Sequence, residues 1–241
     1  LILNEVTGQQ PSLINGPVEV AGQRADVIMA NPAGITVNGG SFINANRVTL
    51  TTGTPVFDGD RRAALRVERG RLRIEGAGLD ARQTAYTALL ARAVDVLGAL
   101  HADKLEVVAG AASVAVDSGL VNPGTAAPDA GAAPAVAIDI GQLGGMYAGH
   151  ISLLVTDAGA GVRHHGTLSA SVGDVKISAD GWLQSRGAVR AAGTLAVRTR
   201  EMLNQGAMDA RRLDIEADSL INEGRIRQAG TQGLQVLAGT L

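Results

Sequence analysis

In the C-terminal third of the chain, apolar and polar residues alternate with period two, in short runs that recur. Val175-Lys-Ile-Ser-Ala179, Leu195-Ala-Val-Arg-Thr199 and Leu213-Asp-Ile-Glu-Ala217 are equivalent middles. Each unit opens at a glycine: Gly166, Gly187, Gly206 and Gly224 are spaced 21, 19 and 18 residues apart. Each closes alike, at Leu183-Gln-Ser185, Leu203-Asn204 and Ile221-Asn222. Strand periodicity inside such a repeat predicts a solenoid. Three short strands per turn and no helical stretch predict an all-β fold, a right-handed parallel β-helix. Each strand then pairs with its equivalent in the next coil, ~4.8 Å away.

The same alternation sorts the side chains. Leu168, Val175, Ile177, Leu195, Val197, Leu213 and Ile215 are expected to point inward and stack coil on coil. Lys176, Arg198, Asp214 and Glu216 are expected to face solvent. Asn204 and Asn222 fall at equivalent β-helix corner positions. Either an amide ladder or plain turn preference accounts for them.

Upstream, Asp26–Ala30, Ile35–Val37, Phe42-Ile43 and Val48–Leu50 predict four successive strands of adjoining coils. Leu65-Arg-Val-Glu68 and Leu72-Arg-Ile-Glu75, joined at Arg69-Gly70, predict an extra-helical β-hairpin packed on the outside of the helix. Residues 81–96 are ambiguous. Their Ala, Leu and Arg content favours helix, but they sit among strands, so strand or mixed structure is expected. Residues 121–135 hold Pro123, Pro128 and Pro134 among Ala and Gly, which predicts a mobile surface loop.

Composition fits this picture. Aromatics are 2% of the 241 residues, and 32 are Gly. Stacked aliphatic rows need few rings, and recurring tight corners use glycine. The formal net charge is −2 with no basic stripe, which gives no electrostatic footprint for nucleic acid. Arg61-Arg62 and Arg211-Arg212 read as solvated corners. There is no Cys, so stability does not come from disulfides. No run of 18 apolar residues predicts a membrane-spanning helix. The chain opens in a strand pattern at Leu1–Val6, without a signal-peptide pattern, and so reads as an internal fragment.

Candidate chemistry is sparse. A polysaccharide-cleaving β-helix needs acids clustered on one face of adjacent coils. Asp180, Asp209, Asp214, Glu216 and Asp218 are scattered among different coil positions instead. His164-His165 point to opposite faces if they lie on a strand, so they do not chelate one ion, and a surface turn is expected. Asp58-Gly59-Asp60 reads as a turn rather than a calcium loop. No catalytic, cofactor or metal residue is expected.

The most specific motif is Asn31-Pro32-Ala33-Gly34-Ile35. It is followed by Asn38-Gly39, Phe42-Ile43-Asn44 and Val48-Thr-Leu-Thr-Thr-Gly53. This run resembles the secretion domain of two-partner-secretion exoproteins, the filamentous haemagglutinin-like family, which carries Asn-Pro-Asn-Gly-Ile there. Ala33 departs from that form. A second matching stretch, Leu143-Gly-Gly-Met-Tyr-Ala-Gly149 with Gly159-Ala-Gly-Val162, resembles the end of that domain.

The resemblance implies that residues 1–162 are the C-terminal part of the secretion domain and residues 163–241 the first filament repeats. It places the signal peptide and a first Asn-Pro motif upstream. It implies export to the cell surface or medium through an outer-membrane β-barrel transporter with periplasmic POTRA domains. It makes residues 31–35 a secretion motif whose role is largely structural. The whole protein would be an adhesin that binds a receptor on a host or neighbouring cell. The alternatives are the stalk of a contact-dependent growth-inhibition toxin and a polysaccharide-processing β-helix enzyme.

Overall fold

In a computed structural model, the chain is described at residues 1–59, 61–128, 130–231 and 235–240. Side chains are not described for residues 58 and 61–63, so Asp60 and the Arg61-Arg62 pair lie outside the described part. The described residues form strands and connections without a helix, wound as a right-handed parallel β-helix.

Three faces run the length of the solenoid. Face 1 begins with Ile2–Glu5, Ala25–Ala30 and Ala45–Thr51 and continues through Tyr86–Ala91, Lys104–Ala109, His150–Val155 and Val175–Ala179. Face 2 stacks Ser12–Ile14, Ile35–Val37, Arg71–Ile74, Ala93–Val96, Val136–Ile140, Gly161–His164 and Trp182–Ser185. Face 3 stacks Pro17–Glu19, Gly40–Ile43, Leu79–Ala81, Ala99–Ala102, Gly145–Ala148 and Thr167–Ala170. Ala188–Asn204 and Ala207–Asn222 each continue across corners and serve all three faces.

Register explains the core. On face 2 one inward row reads Ile35, Leu72, Val94, Ile138, Val162, Leu183, Met202, Leu220. All eight are buried. Each fully buried aliphatic side chain contributes roughly 1.5–3 kcal/mol. The seven residues expected to stack inward from Leu168 to Ile215 are buried. Lys176, Arg198 and Glu216 are exposed. Within residues 81–96, Ala81, Tyr86–Ala91 and Ala93–Val96 are strand, in three elements that belong to the three faces, joined by a turn at 82–85 and by Arg92.

The glycine repeat marks the corner between faces 2 and 3. Ala188, Ala207 and Arg225 donate their N–H groups to the carbonyls of Gly166, Gly187 and Gly206, one coil earlier. A Cβ on Gly187 would lie 1.9 Å from the Gly166 carbonyl oxygen, and one on Gly206 2.1 Å from that of Gly187. Close coil-on-coil approach therefore demands glycine there.

An extra-helical element exists, but its strands differ from the expected hairpin. Arg71–Ile74 lies inside the helix, on face 2 between Ile35–Val37 and Ala93–Val96. The outside element is a four-stranded antiparallel sheet of Thr54–Asp58, Arg61–Val67, Ala112–Ala115 and Val121–Pro123. Val121–Pro123, expected in the loop, is thus its fourth strand. Leu65, Val67, Ala112 and Val114 pack on Ile28, Ala88, Leu90 and Val108, which point outward from face 1. This second core is why face 1 strands such as Ala88-Leu89-Leu90-Ala91 are apolar on both sides.

Candidate functional site

Residues 31–34 form the corner between faces 1 and 2, linking Ala25–Ala30 to Ile35–Val37. The Gly34 N–H donates to the Asn31 carbonyl at 3.0 Å, closing a turn with Pro32 at its second position. Asn31 is 1% exposed, and its amide is fully used. Nδ2 donates to the Gln10 carbonyl (2.9 Å) and to Ser12 Oγ (2.8 Å), both in the preceding coil. Oδ1 accepts from the Ala33 N–H at 2.9 Å. The Asn31 N–H donates to the Thr51 carbonyl of the next coil at 2.9 Å. One residue thus ties three coils. Position 33 takes part through its backbone, which explains how alanine fits there. Gly34 has φ +124°, outside the range L side chains favour, and Ile35 enters the core row.

The other two corners of this coil also use asparagine. Asn44 adopts φ +57°, and its Nδ2 donates to the carbonyls of Val20 and Gly22, each at 2.8 Å. Asn38 Oδ1 accepts the Ala77 N–H at 2.9 Å. These bonds run between coils, and asparagine tolerates the left-handed geometry that Asn44 adopts.

Both arms of the outside sheet leave and rejoin the helix at the corner that holds Asn31. Nearby, Arg92 Nε donates to Asp157 Oδ2 at 2.5 Å, with both side chains 9% exposed. Sequence reasoning missed this pair. The available signal was an arginine inside an otherwise apolar run, Leu89-Leu90-Ala91-Arg92-Ala93.

Asn204 Nδ2 donates to Asn222 Oδ1 at 2.7 Å; Asn204 is buried and Asn222 exposed. They lie in a row that reads Ile14, Val37, Ile74, Val96, Ile140, His164, Ser185, Asn204, Asn222. The row changes from aliphatic to polar at His164. His164 is therefore not on a surface turn. It is a buried strand residue whose Nδ1 lies 3.0 Å from Ser185 Oγ. Burial, the main cause, lowers its pKa from 6.5 to about 4.

Several acids meet arginines rather than one another. Asp180 accepts from Arg200, Asp209 from Arg225 and Glu216 from Arg198. Among the described residues no group of three or more His, Asp or Glu could hold a metal. The arrangement organises backbone and couples coils.

A model of the TPS secretion domain matches residues 1–185. The crystal structure of a filamentous hemagglutinin secretion domain superimposes with a TM-score of 0.71 at 34% identity, covering 93% of this chain and 74% of that one. Toxin CdiA of Yersinia pestis is 47% identical over 199 residues, 83% of this chain. The tRNA nuclease CdiA-2 of Burkholderia pseudomallei is 42% identical over 193 residues, 80% of this chain. The chain spans only 6% of the length of each of these two relatives.

Proposed function

This chain belongs to the TPS secretion domain family, and from that premise we propose that it directs export of a longer filamentous protein through an outer-membrane transporter and supplies its first β-helical coils. In this reading residues 1–162 serve as the C-terminal part of the secretion domain and residues 163–241 begin the filament. The chain works at the cell surface or in the medium. Its direct partners are the transporter's POTRA domains, which take up the unfolded chain by strand addition to exposed edges. The observation that carries this reading is the Asn31 corner, where one buried residue ties three coils through its side chain and its backbone N–H, beside the arm roots. In this reading the secretion motif acts by building that corner, so losing it removes the fold that drives export.

The segment performs no reaction of its own, and the pairing of acids with arginines supports this. The whole protein is an adhesin of the filamentous hemagglutinin kind that meets a receptor on another cell. A second reading has a specific observation behind it, the 47% identity to a protein named Toxin CdiA. There the chain begins the stalk of a contact-dependent inhibition toxin, and any activity lies elsewhere in the protein.

The test is secretion of the full-length protein from cells with and without the cognate transporter. Protein in the medium or on the surface only when the transporter is present is the expected result. Equal amounts without it would overturn the reading.

A further inference from the structure

The outside sheet is rooted at two places on one corner. The first arm returns to the helix at Glu68-Arg69-Gly70, and the second departs at Gly110-Ala111. Between these roots the intervening coil turns the corner with one residue, Arg92, which links Tyr86–Ala91 to Ala93–Val96.

The Arg92 side chain reaches both ways. Nη1 donates to the Glu68 carbonyl at 3.0 Å, and Nε donates to Asp157. Asp157 Oδ1 accepts the Ala111 N–H at 3.0 Å. Thr156 Oγ1 donates to the Ala111 carbonyl at 2.8 Å. One buried ion pair therefore holds the return of the first arm and the departure of the second.

The pair skips a coil. Arg92 and Asp157 are 65 residues apart, and the coil between them passes at Gly110. Gly110 has φ +113°, and a Cβ there would lie 2.4 Å from Thr156 Oγ1 and 2.7 Å from the Asp157 N–H nitrogen. The glycine lets Thr156 and the Asp157 backbone pack directly against this coil, which sets where the Asp157 carboxylate stands.

We propose that Arg92 and Asp157 are positioning residues that lock the outside sheet onto the helix only after the coil carrying Asp157 has wrapped. A buried charge without its partner is strongly unfavourable. Until Asp157 arrives, Arg92 holds the first root through the Glu68 carbonyl but has no tie to the second. The stretch from Thr54 to Asp157 then folds as one cooperative unit, whereas the later coils add one at a time. For a chain threaded unfolded through a pore, the consequence is the same in either direction of travel. Both ends of the pair must be outside before the sheet is fixed. This inference builds on the export reading, but the lock itself is a property of the isolated chain.

The experiment is pulse-labelled hydrogen exchange, read by mass spectrometry, during refolding of the purified 241-residue chain and at equilibrium. In the wild type, residues 54–67 and 112–123 should gain protection together with 150–155, and after 195–222 have begun to protect. At equilibrium, Asp157→Asn and Gly110→Ala should each speed exchange in the two arms at least tenfold and leave 195–222 at the wild-type rate. Arg92→Lys keeps the charge but shortens the fork, so its arms should exchange at an intermediate rate. Arms that become protected before 150–155 would overturn the proposal. So would variants whose exchange rises evenly along the chain or not at all. The wild-type time course stands even if a variant fails to fold. No transporter is involved, so this result and the secretion assay can fail independently.

Discussion

The coil at residues 25–44 and the coils from Gly161 to Asn222 turn the same three corners with different atoms. In the first, Asn31, Asn38 and Asn44 place an amide at every corner, and each bonds backbone in a neighbouring coil. In the second, glycines stack at one corner, and backbone bonds between adjacent coils do the work. Ties in the coils upstream of residue 160 also reach further along the chain, as in Arg24 to Gln83 and Arg92 to Asp157, 59 and 65 residues apart. Ties in the second stay near 20 residues, as in Arg198 to Glu216 at 18 and Arg200 to Asp180 at 20. The difference teaches that a solenoid becomes extendable where its coils depend only on the previous one. Where coils are tied across insertions, the same geometry behaves as a single domain.

The largest break of the regular region is Gly187→Ala. Its Cβ would meet the Gly166 carbonyl at 1.9 Å, a backbone atom that has no room to yield. A loss of about 3 kcal/mol or more is expected in denaturant unfolding. Gly159→Ala is the control. Its φ is +73°, but nothing lies within 4 Å of the added Cβ, so about 1 kcal/mol is expected.

Breaking the other region's corner comes next. Asn31→Ala removes the buried amide that pairs with the Gln10 carbonyl, Ser12 Oγ and the Ala33 N–H at a half-buried corner. A cost of roughly 1–2 kcal/mol is expected from the lost bonds, read from the same unfolding curves.

The polar inner row gives a pH test that separates the regions. Burial holds the folded His164 pKa near 4, below the 6.5 of the free group. The unfolded chain therefore takes up the proton first as pH falls. Stability from this group is full above pH 6.5 and is lost between 6.5 and about 4. The expected loss is about 3 kcal/mol at the acid end. His164→Asn, which continues the Ser185 and Asn204 row, should flatten the dependence in that window. A profile identical to wild type would refute the assignment.

The smallest effect belongs to the exposed ladder. Arg198→Ala removes the bond to Glu216 on an open face and should change stability by less than about 1 kcal/mol. A larger loss would mean that surface ion pairs, and not the glycine corners, hold the repeating coils together.

How much of this was readable followed the same divide. Between Gly166 and Gly224 each coil carries its own signal, so period, inward rows and corner glycines were all legible. Upstream, the insertions hid the period. Leu65-Arg-Val and Leu72-Arg-Ile share one alternation, and Arg69-Gly70 looks like a hairpin turn. Nothing local reveals that Leu72 stacks on Ile35, 37 residues earlier. The second core had a signal that alternation misses, namely runs such as Val107-Val108-Ala109 that are apolar on both faces. The Asn31 motif was legible as a turn, but its partners Gln10 and Ser12 were not. The buried His164 was hidden because inner rows are expected to be aliphatic, and a polar row satisfies itself only through stacking between coils.

One measurement tests the central claim, that the Asn31 corner and not the repeating coils carries the export function. It is transporter-dependent secretion of the full-length protein with Asn31→Ala or with Asn204→Ala, scored as protein outside the cell. The account predicts that Asn31→Ala abolishes secretion and Asn204→Ala leaves it near wild type. Equal secretion of the two variants, at any level, would contradict it.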